Sequence, residues 1–321
     1  MTPPGGTRAR SVVTPGNHDG VHLGHRSLLR AAGERAASER ATGATRVVAL
    51  TFDPHPATIL APERAPEMLT TIARRTELLR AFGADHVEAQ RFDADFAQLE
   101  PEAFARTVLH DRLASAAVVV GPDFRFGRRR AGDLETLRAL GRQLDFDVIA
   151  VDPVLAGGEI VSSTAVRAAL RAGDVARASR LLGRIHDVDG EIVRGDQRGR
   201  TIGFPTANFN CDPVMLPADG VYAVVARRLD GRIDGTAQDL LLGVANSGLR
   251  PTVGAGRSLE AHFFDFGGDL YGARVRLGFV ERLRGEQKLA SLDALRSQIT
   301  RDAASARAGL AACDRALWRW I

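Results

Sequence analysis

The sequence predicts a parallel α/β domain followed by an antiparallel all-β domain that ends in a helix. Three observations carry this. At 321 residues the chain exceeds what one core ordinarily supports, and roughly 150 residues per domain divides it into about two. Residues 11–182 alternate short β-rich runs with stretches of helical spacing, the order of a parallel sheet with helices on both faces. From Arg184 the runs become strand-like and are punctuated by glycine and aspartate turns, as in an antiparallel barrel or sandwich. We therefore expect domains at 11–183 and 184–321.

In chain order, the first half offers the strands SVVT (11–14), RVVALTF (46–52), DHVEAQ (85–90), AAVVVG (116–121) and DVIAV (147–151). Helical spacing appears in LGHRSLLRAAGERAA (23–37) and LETLRALGRQL (134–144). The second half offers HDVDGEIVRG (186–195), GVYAVVARRLDGRIDG (220–235), LLLGVANSG (240–248), LEAHFFDFGGDLYG (259–272) and ARVRLGFVERL (273–283). SLDALRSQITRDAASARAGLAA (291–312) opens with Ser291 as an N-cap and continues at helical spacing. No internal repeat is visible.

Composition excludes several classes. With 45% hydrophobic and 26% charged residues, this is neither a disordered nor a collagen-like chain. No apolar run approaches the roughly 18 residues of a membrane span, and MTPPGGTRAR lacks the apolar stretch of a secretory leader, so a cytoplasmic protein is expected. Cys211 and Cys313 are too few for a disulfide framework or a cysteine zinc site, and neither is a candidate nucleophile. The net charge of +4 divides evenly on either side of Gly183, so neither half has the charge of a polyanion-binding domain.

GNHDGVHLGH (16–25) follows the first strand directly and opens the first helix. Glycines let a backbone approach a ligand, and amides at a helix start favour phosphate, so this corner around Gly16 is a candidate nucleotide-phosphate site. His22 and His25, three residues apart, are placed to meet one phosphate chain. An imidazole donating there as charge develops stabilises a phosphorus-centred transition state without becoming a nucleophile. On its own the string also describes a glycine turn with two solvated histidines. At the far end of the same half, VSSTAVRAAL (161–170) puts Ser163, Thr164 and Arg167 at a helix start, where the hydroxyls also read as caps and the arginine as a solvated face. A parallel sheet gathers its strand C-termini on one edge, which would bring both helix starts to one triphosphate. Between them stand TFDPHP, with Asp53 and His55, and GPDFRFGRRRAGD, with Asp123, Phe124, Arg125 and Phe126. The run Arg128 to Arg130 reads as a solvated face or as loop cations that neutralise phosphate.

GNHDGVHLGH, TFDPHP, GPDFRFG and SSTAVR, in that order and followed by GRTIGFPTANF, resemble the bifunctional bacterial riboflavin kinase/FAD synthetase family over about Val12 to Arg307. The resemblance implies a nucleotidyltransferase-type doubly wound domain that joins AMP from ATP to FMN and releases pyrophosphate. It also implies a six-stranded antiparallel barrel that phosphorylates riboflavin. By motif position, His22, His25, Ser163, Thr164 and Arg167 match the family's ATP-phosphate contacts, and Asp123 stands where the family has asparagine or aspartate near the flavin. Thr206 and Asn208 match its magnesium and ATP ligands, a hydroxyl and an amide carbonyl being suitable oxygen donors for a hard cation. Glu260 matches the catalytic base, which accepts the ribityl hydroxyl proton as that oxygen attacks the γ-phosphorus. Asn246 and Arg250 resemble a flavin-side loop.

Two departures fall in the phosphate corner: the family commonly has phenylalanine at the position of His18 and an aliphatic residue at that of Pro15. His18 has two readings, an apolar packing position with a backbone carbonyl taking its N–H, or a donor facing ATP with a raised pKa. Beyond the resemblance, Trp318 and Trp320 either pack back on the barrel or anchor on another subunit, although no oligomer is predicted. The expected activity is synthesis of FMN and then FAD from riboflavin and ATP with Mg2+; the expected partners are these small molecules, not nucleic acid or membrane. Alternatives are an adenylyltransferase for another phosphorylated metabolite, and a barrel binding module beside an inactive first domain.

Overall fold

The computed structural model describes residues 10–39, 45–195, 203–231, 240–249 and 257–321. By contact density the chain divides into two compact units, Met1–Val161 and Ser162–Ile321.

In the first unit, β1 (Arg10–Pro15), β2 (Thr45–Asp53), β3 (His86–Arg91), β4 (Ser115–Val120) and β5 (Asp147–Ala150) form one sheet in the order β3-β2-β1-β4-β5, and every neighbouring pair is parallel. The connections hold α1 (Leu23–Glu39), α2 (Pro56–Leu60), α3 (Ile72–Ala81), α4 (Ala94–Ala97), α5 (Pro101–Phe104) and α6 (Leu134–Leu144). α5 widens into π-type turns over Ala105–Arg112. β4 is buried along its whole length, which is why it reads as a continuous apolar run rather than an alternation. One face of the sheet packs Val13, Leu50, Val118 and Val120 against Phe104, Leu109, Leu137 and Leu140. α1 lies on β1, β2 and β4, and its buried residues include Ala32 and Ala36, small side chains that let the helix approach the strands. β1 sits at the switch point: the chain winds outwards to β2 and β3 on one side and to β4 and β5 on the other, and ligands of such sheets bind at the strand C-termini there. A short hairpin, β6 (Leu155–Ala156) and β7 (Glu159–Ile160), follows β5.

The second unit contains α7 (Ser163–Arg171), α8 (Val175–Leu182), β8 (His186–Val193), β9 (Ala207–Cys211), β10 (Gly220–Arg228), β11 (Leu241–Leu249), β12 (Arg257–Phe263), β13 (Arg274–Arg284) and α9 (Leu292–Ala312). The six strands close into an antiparallel barrel in the order β10-β11-β12-β9-β8-β13, so the sandwich alternative does not apply. Closure leaves no open sheet edge. α8 packs on β8 and β13, and Arg282 of β13 donates to the Ala172 carbonyl. By contacts, therefore, the segment from Ser162 to Gly183 belongs with the barrel.

The Ser291 hydroxyl caps α9 by accepting the Ala294 N–H at 3.1 Å. Arg284 Nη2 and Asp302 Oδ2, 2.8 Å apart, tie the helix to β13. Ala306, Leu310, Trp318 and Ile321 pack against Val221, Ala223 and Val225, so Trp318 folds back on the barrel and its indole N–H donates to Cys313 Sγ.

Candidate active sites

The first site is built at the C-terminal ends of β1, β2 and β4. His22 stands immediately before α1, and its Nδ1 accepts the His25 backbone N–H at 3.3 Å, so an imidazole performs the capping that a hydroxyl or carboxylate usually performs. That bond leaves the ring proton of neutral His22 on Nε2. The His25 ring stacks on His22 with centroids 3.6 Å apart, and the His18 ring meets His25 edge-on at 5.1 Å. His25 Nδ1 is buried with no hydrogen-bond partner. Burial, followed by the neighbouring His22, His18 and Arg75, holds the His25 pKa well below 6.5, so His25 is neutral near pH 7 and carries one ring N–H rather than a cationic charge.

The glycines of this corner serve the histidines. A Cβ at Gly16 would stand 3.2 Å from the His18 ring, and one at Gly24 would stand 3.1 Å from the His22 ring. The Gly16 N–H donates to the Leu50 carbonyl at 3.0 Å, so Gly16 offers a ligand close backbone approach rather than its own amide.

Of the two readings of His18, packing is the one the structure bears out. The side chain is 1% exposed, and Nε2 lies 2.9 Å from the Thr14 carbonyl, which requires the proton on Nε2. Burial lowers its pKa to about 4 even though the Thr14 bond acts in the opposite direction, which agrees with packing rather than with a cationic donor.

Sequence reading missed what holds the corner. Asp19 is buried, and its carboxylate accepts the N–H groups of Leu69 and Thr70, the Thr70 hydroxyl, and Arg75 Nη2 at 3.3 Å. Arg75 also donates to Thr51 Oγ1, whose hydroxyl donates to the Asn17 carbonyl. No local signal pairs Asp19 with residues some fifty positions on; only the fold brings them together.

Beside this corner opens a cavity of about 490 Å3, lined among others by Gly16, Asn17, His55 and Asp123. Its walls are aromatic: Phe124 stacks on Phe126 at 5.6 Å, Phe126 meets Phe104 at 5.7 Å, and Phe52 meets Phe96 at 6.0 Å. Such walls suit a flat ring system. The Asn17 amide lies 3.0 Å from His55 Nε2, while His55 Nδ1 accepts the Ala57 N–H and caps α2.

In the second unit, Ser162 rather than Ser163 or Thr164 caps α7, its hydroxyl accepting the Ala165 N–H at 3.1 Å. Thr164 is exposed, and Arg167 is buried rather than solvated.

The barrel supplies the second site. Glu260 of β12 lies directly opposite Asn208 of β9 on one side and Asn246 of β11 on the other, so three expected site residues fall in one row across adjacent strands. Directly paired residues share a face, and that face is the alternate one to Ala207 and Ala261. Ala207 and Ala261 help to line a cavity of about 300 Å3 bounded by Thr206, Phe263, Phe266 and Tyr271. Glu286, which the sequence did not single out, approaches β11 two residues beyond Asn246: its Oε1 would crowd a Cβ at Gly248. Arg250 lies outside the described residues. The Cys211 thiol, raised to about 12 by burial and then by Asp212, is unreactive near neutral pH.

Comparison with known proteins gives a family for each half of the chain. The FAD synthetase family model matches residues 6–165, and the riboflavin kinase model matches residues 182–310. Curated bifunctional riboflavin kinase/FMN adenylyltransferases from Escherichia coli K12 and Pseudomonas fluorescens are each 40% identical to this chain, covering 92% of it and 91% and 92% of their own lengths. The Haemophilus influenzae enzyme is 35% identical, covering 92% of this chain and 93% of its own. A solved structure titled a macrolide-efflux protein from Streptococcus pneumoniae is similar with a TM-score of 0.82 at 30% identity, covering 94% of this chain and 95% of that one. Among the described residues, no helix is long and apolar enough to cross a membrane.

Proposed function

The chain belongs to the bifunctional riboflavin kinase/FMN adenylyltransferase family, and from that premise we propose that it phosphorylates riboflavin in its barrel and adenylylates FMN in its α/β unit. The observation that carries the kinase half is the row Asn208, Glu260, Asn246, which sets one carboxylate between two amides on a strand face. Glu260 accepts the proton of the terminal ribityl hydroxyl as that oxygen attacks the γ-phosphorus of ATP, and ADP leaves.

Thr206 and Asn208 offer two neutral oxygen donors, which fits a magnesium ion that arrives on ATP and keeps phosphate and water as its other ligands. Among the described residues, no group of three or more His, Cys, Asp or Glu is placed to hold a metal by itself. Thr206 and Asn208 would hold the ion, and when bound it offsets phosphate charge.

In the α/β unit, a phosphate oxygen of FMN attacks the α-phosphorus of ATP, and pyrophosphate leaves. His22 and neutral His25 hold N–H donors towards the phosphates, and the flavin ring takes the aromatic cavity with Asp123 at its edge. By motif position, Ser163, Thr164 and Arg167 are further ATP-phosphate contacts for adenylylation. Asn246 and Arg250 attend the flavin in the kinase site. The substrates are small molecules of the cytoplasm.

The test is to incubate the protein with riboflavin, ATP and magnesium and to separate the flavins, with Glu260→Gln alongside. Wild type should accumulate FMN and FAD. The variant should lose about 100-fold or more of riboflavin phosphorylation and still adenylylate added FMN. Phosphorylation at the wild-type rate would remove Glu260 from the mechanism, and absence of FAD from wild type would overturn the adenylylation reading.

A further inference from the structure

The loop from Phe126 to Gly132 contains four consecutive positions with left-handed or cationic character: Gly127, Arg128, Arg129 and Arg130. It is held rigidly at its base. Phe126 and Gly132 exchange two backbone hydrogen bonds of 3.0 and 2.9 Å, and the Arg128 N–H donates to the Leu99 carbonyl at 2.7 Å. Gly127, at φ 72°, lies against Pro101, whose ring would be 2.8 Å from any Cβ there.

Within this frame the arginines divide into two kinds. Arg125 faces Asp133 at 3.5 Å, and Arg128 pairs with Glu100 at 3.0 Å. Arg129 and Arg130 have no side-chain hydrogen bond or ion pair among the described residues, yet both line the aromatic cavity of the α/β unit. Both also occupy the left-handed region, at φ 54° and 60°, a conformation that costs a residue with a Cβ about 1 kcal/mol or more. The loop thus holds two uncompensated guanidinium groups in an unfavoured backbone conformation at the rim of an aromatic cavity. The neutral flavin ring asks only for the aromatic walls; two free guanidiniums fit an anion with several acceptor oxygens.

Resting on the adenylylation reading above, we propose that Arg129 and Arg130 form the subsite for the terminal phosphate of FMN, and so make this cavity select the phosphorylated flavin over the unphosphorylated one. Two positive charges also offset the repulsion between this phosphate and those of ATP, which must approach for the new bond to form.

The experiment uses the full-length protein and follows FAD formation with FMN and ATP each varied. The double variant Arg129→Gly with Arg130→Asn removes both charges with residues that accept left-handed backbone. It should raise KM for FMN by roughly 10- to 100-fold, leave KM for ATP within a few-fold, and leave riboflavin phosphorylation unchanged. Lumiflavin, a bare ring that cannot be phosphorylated, should inhibit with the same Ki in both proteins, so that the preference for FMN over the bare ring collapses by the same factor. Arg128→Gln, which removes a charge already paired with Glu100, should leave KM for FMN unchanged. An unchanged preference for FMN in the double variant, or a rise confined to KM for ATP, overturns the proposal. Wild-type protein that forms no FAD overturns the adenylylation reading itself, an outcome separate from a variant that forms FAD with wild-type KM.

Discussion

At the scale of single residues, the histidines show how far environment overrides type. The unperturbed value of about 6.5 would leave imidazoles partly charged in mild acid, but burial keeps His18 neutral until about pH 4. In the unfolded chain His18 titrates near 6.5, so between the two values the unfolded state binds more protons. Its contribution to stability is therefore complete above pH 6.5 and declines as pH falls towards 4, by about 3 kcal/mol in total. His18→Phe removes this titration. The variant should show a shallower loss of stability between pH 6.5 and 4 than wild type in denaturant titrations of the α/β unit. Parallel curves would show that His18 is not the group responsible. The substitution should fold, since the ring already packs against Gly16 and its one polar partner is a backbone carbonyl. What a sequence shows at such a position is the residue type; which carbonyl its N–H meets is decided by the turn after β1, which brings the His18 ring back to Thr14.

At the scale of elements, the phosphate corner is a strand end, a loop and a helix start held by one buried ion pair. Arg75 Nη2 and Asp19 Oδ1, both side chains at most 3% exposed, join α3 to the loop after β1. Removing one member of a buried pair strands the other charge, which typically costs about 3–5 kcal/mol. Asp19→Ala should therefore lower the melting temperature of the α/β unit and suppress FAD formation while riboflavin phosphorylation continues. Differential scanning calorimetry together with the two assays checks this, and a variant with normal FAD formation would show that the corner keeps its shape without the pair. The elements themselves were largely legible. The five parallel strands follow the five short β-rich runs, and Ser291 caps α9 as its position before a helical repeat predicts. The cap of α7 was less so, because three hydroxyls in a row leave the choice to backbone geometry: Ser162, with extended φ and ψ, is the one outside the helix.

At the scale of the molecule, two compact units each carry a candidate ATP site, so the activities should separate. A fragment of residues 162–321 is expected to form FMN from riboflavin and no FAD. A fragment of residues 184–321 should do the same at lower stability, because it lacks α8, which buries Val175, Leu181 and Leu182. Thermal melts and flavin separation on both fragments check this; equal melting temperatures would show that α7 and α8 do not brace the barrel. By itself the sequence determined the order of the two folds and the identity of the motifs, because periodicity and glycine turns are local properties of a chain. It also named most of the candidate site residues, since motif positions travel with the chain. Only the tertiary structure decided that six strands close into a barrel, that Asn208, Glu260 and Asn246 stand in one row, and that Asp19 meets Arg75. Those outcomes depend on strand register and on contacts between residues tens of positions apart. Burial and partner geometry, not residue type, then set which histidine stays neutral and which arginine remains available to a ligand.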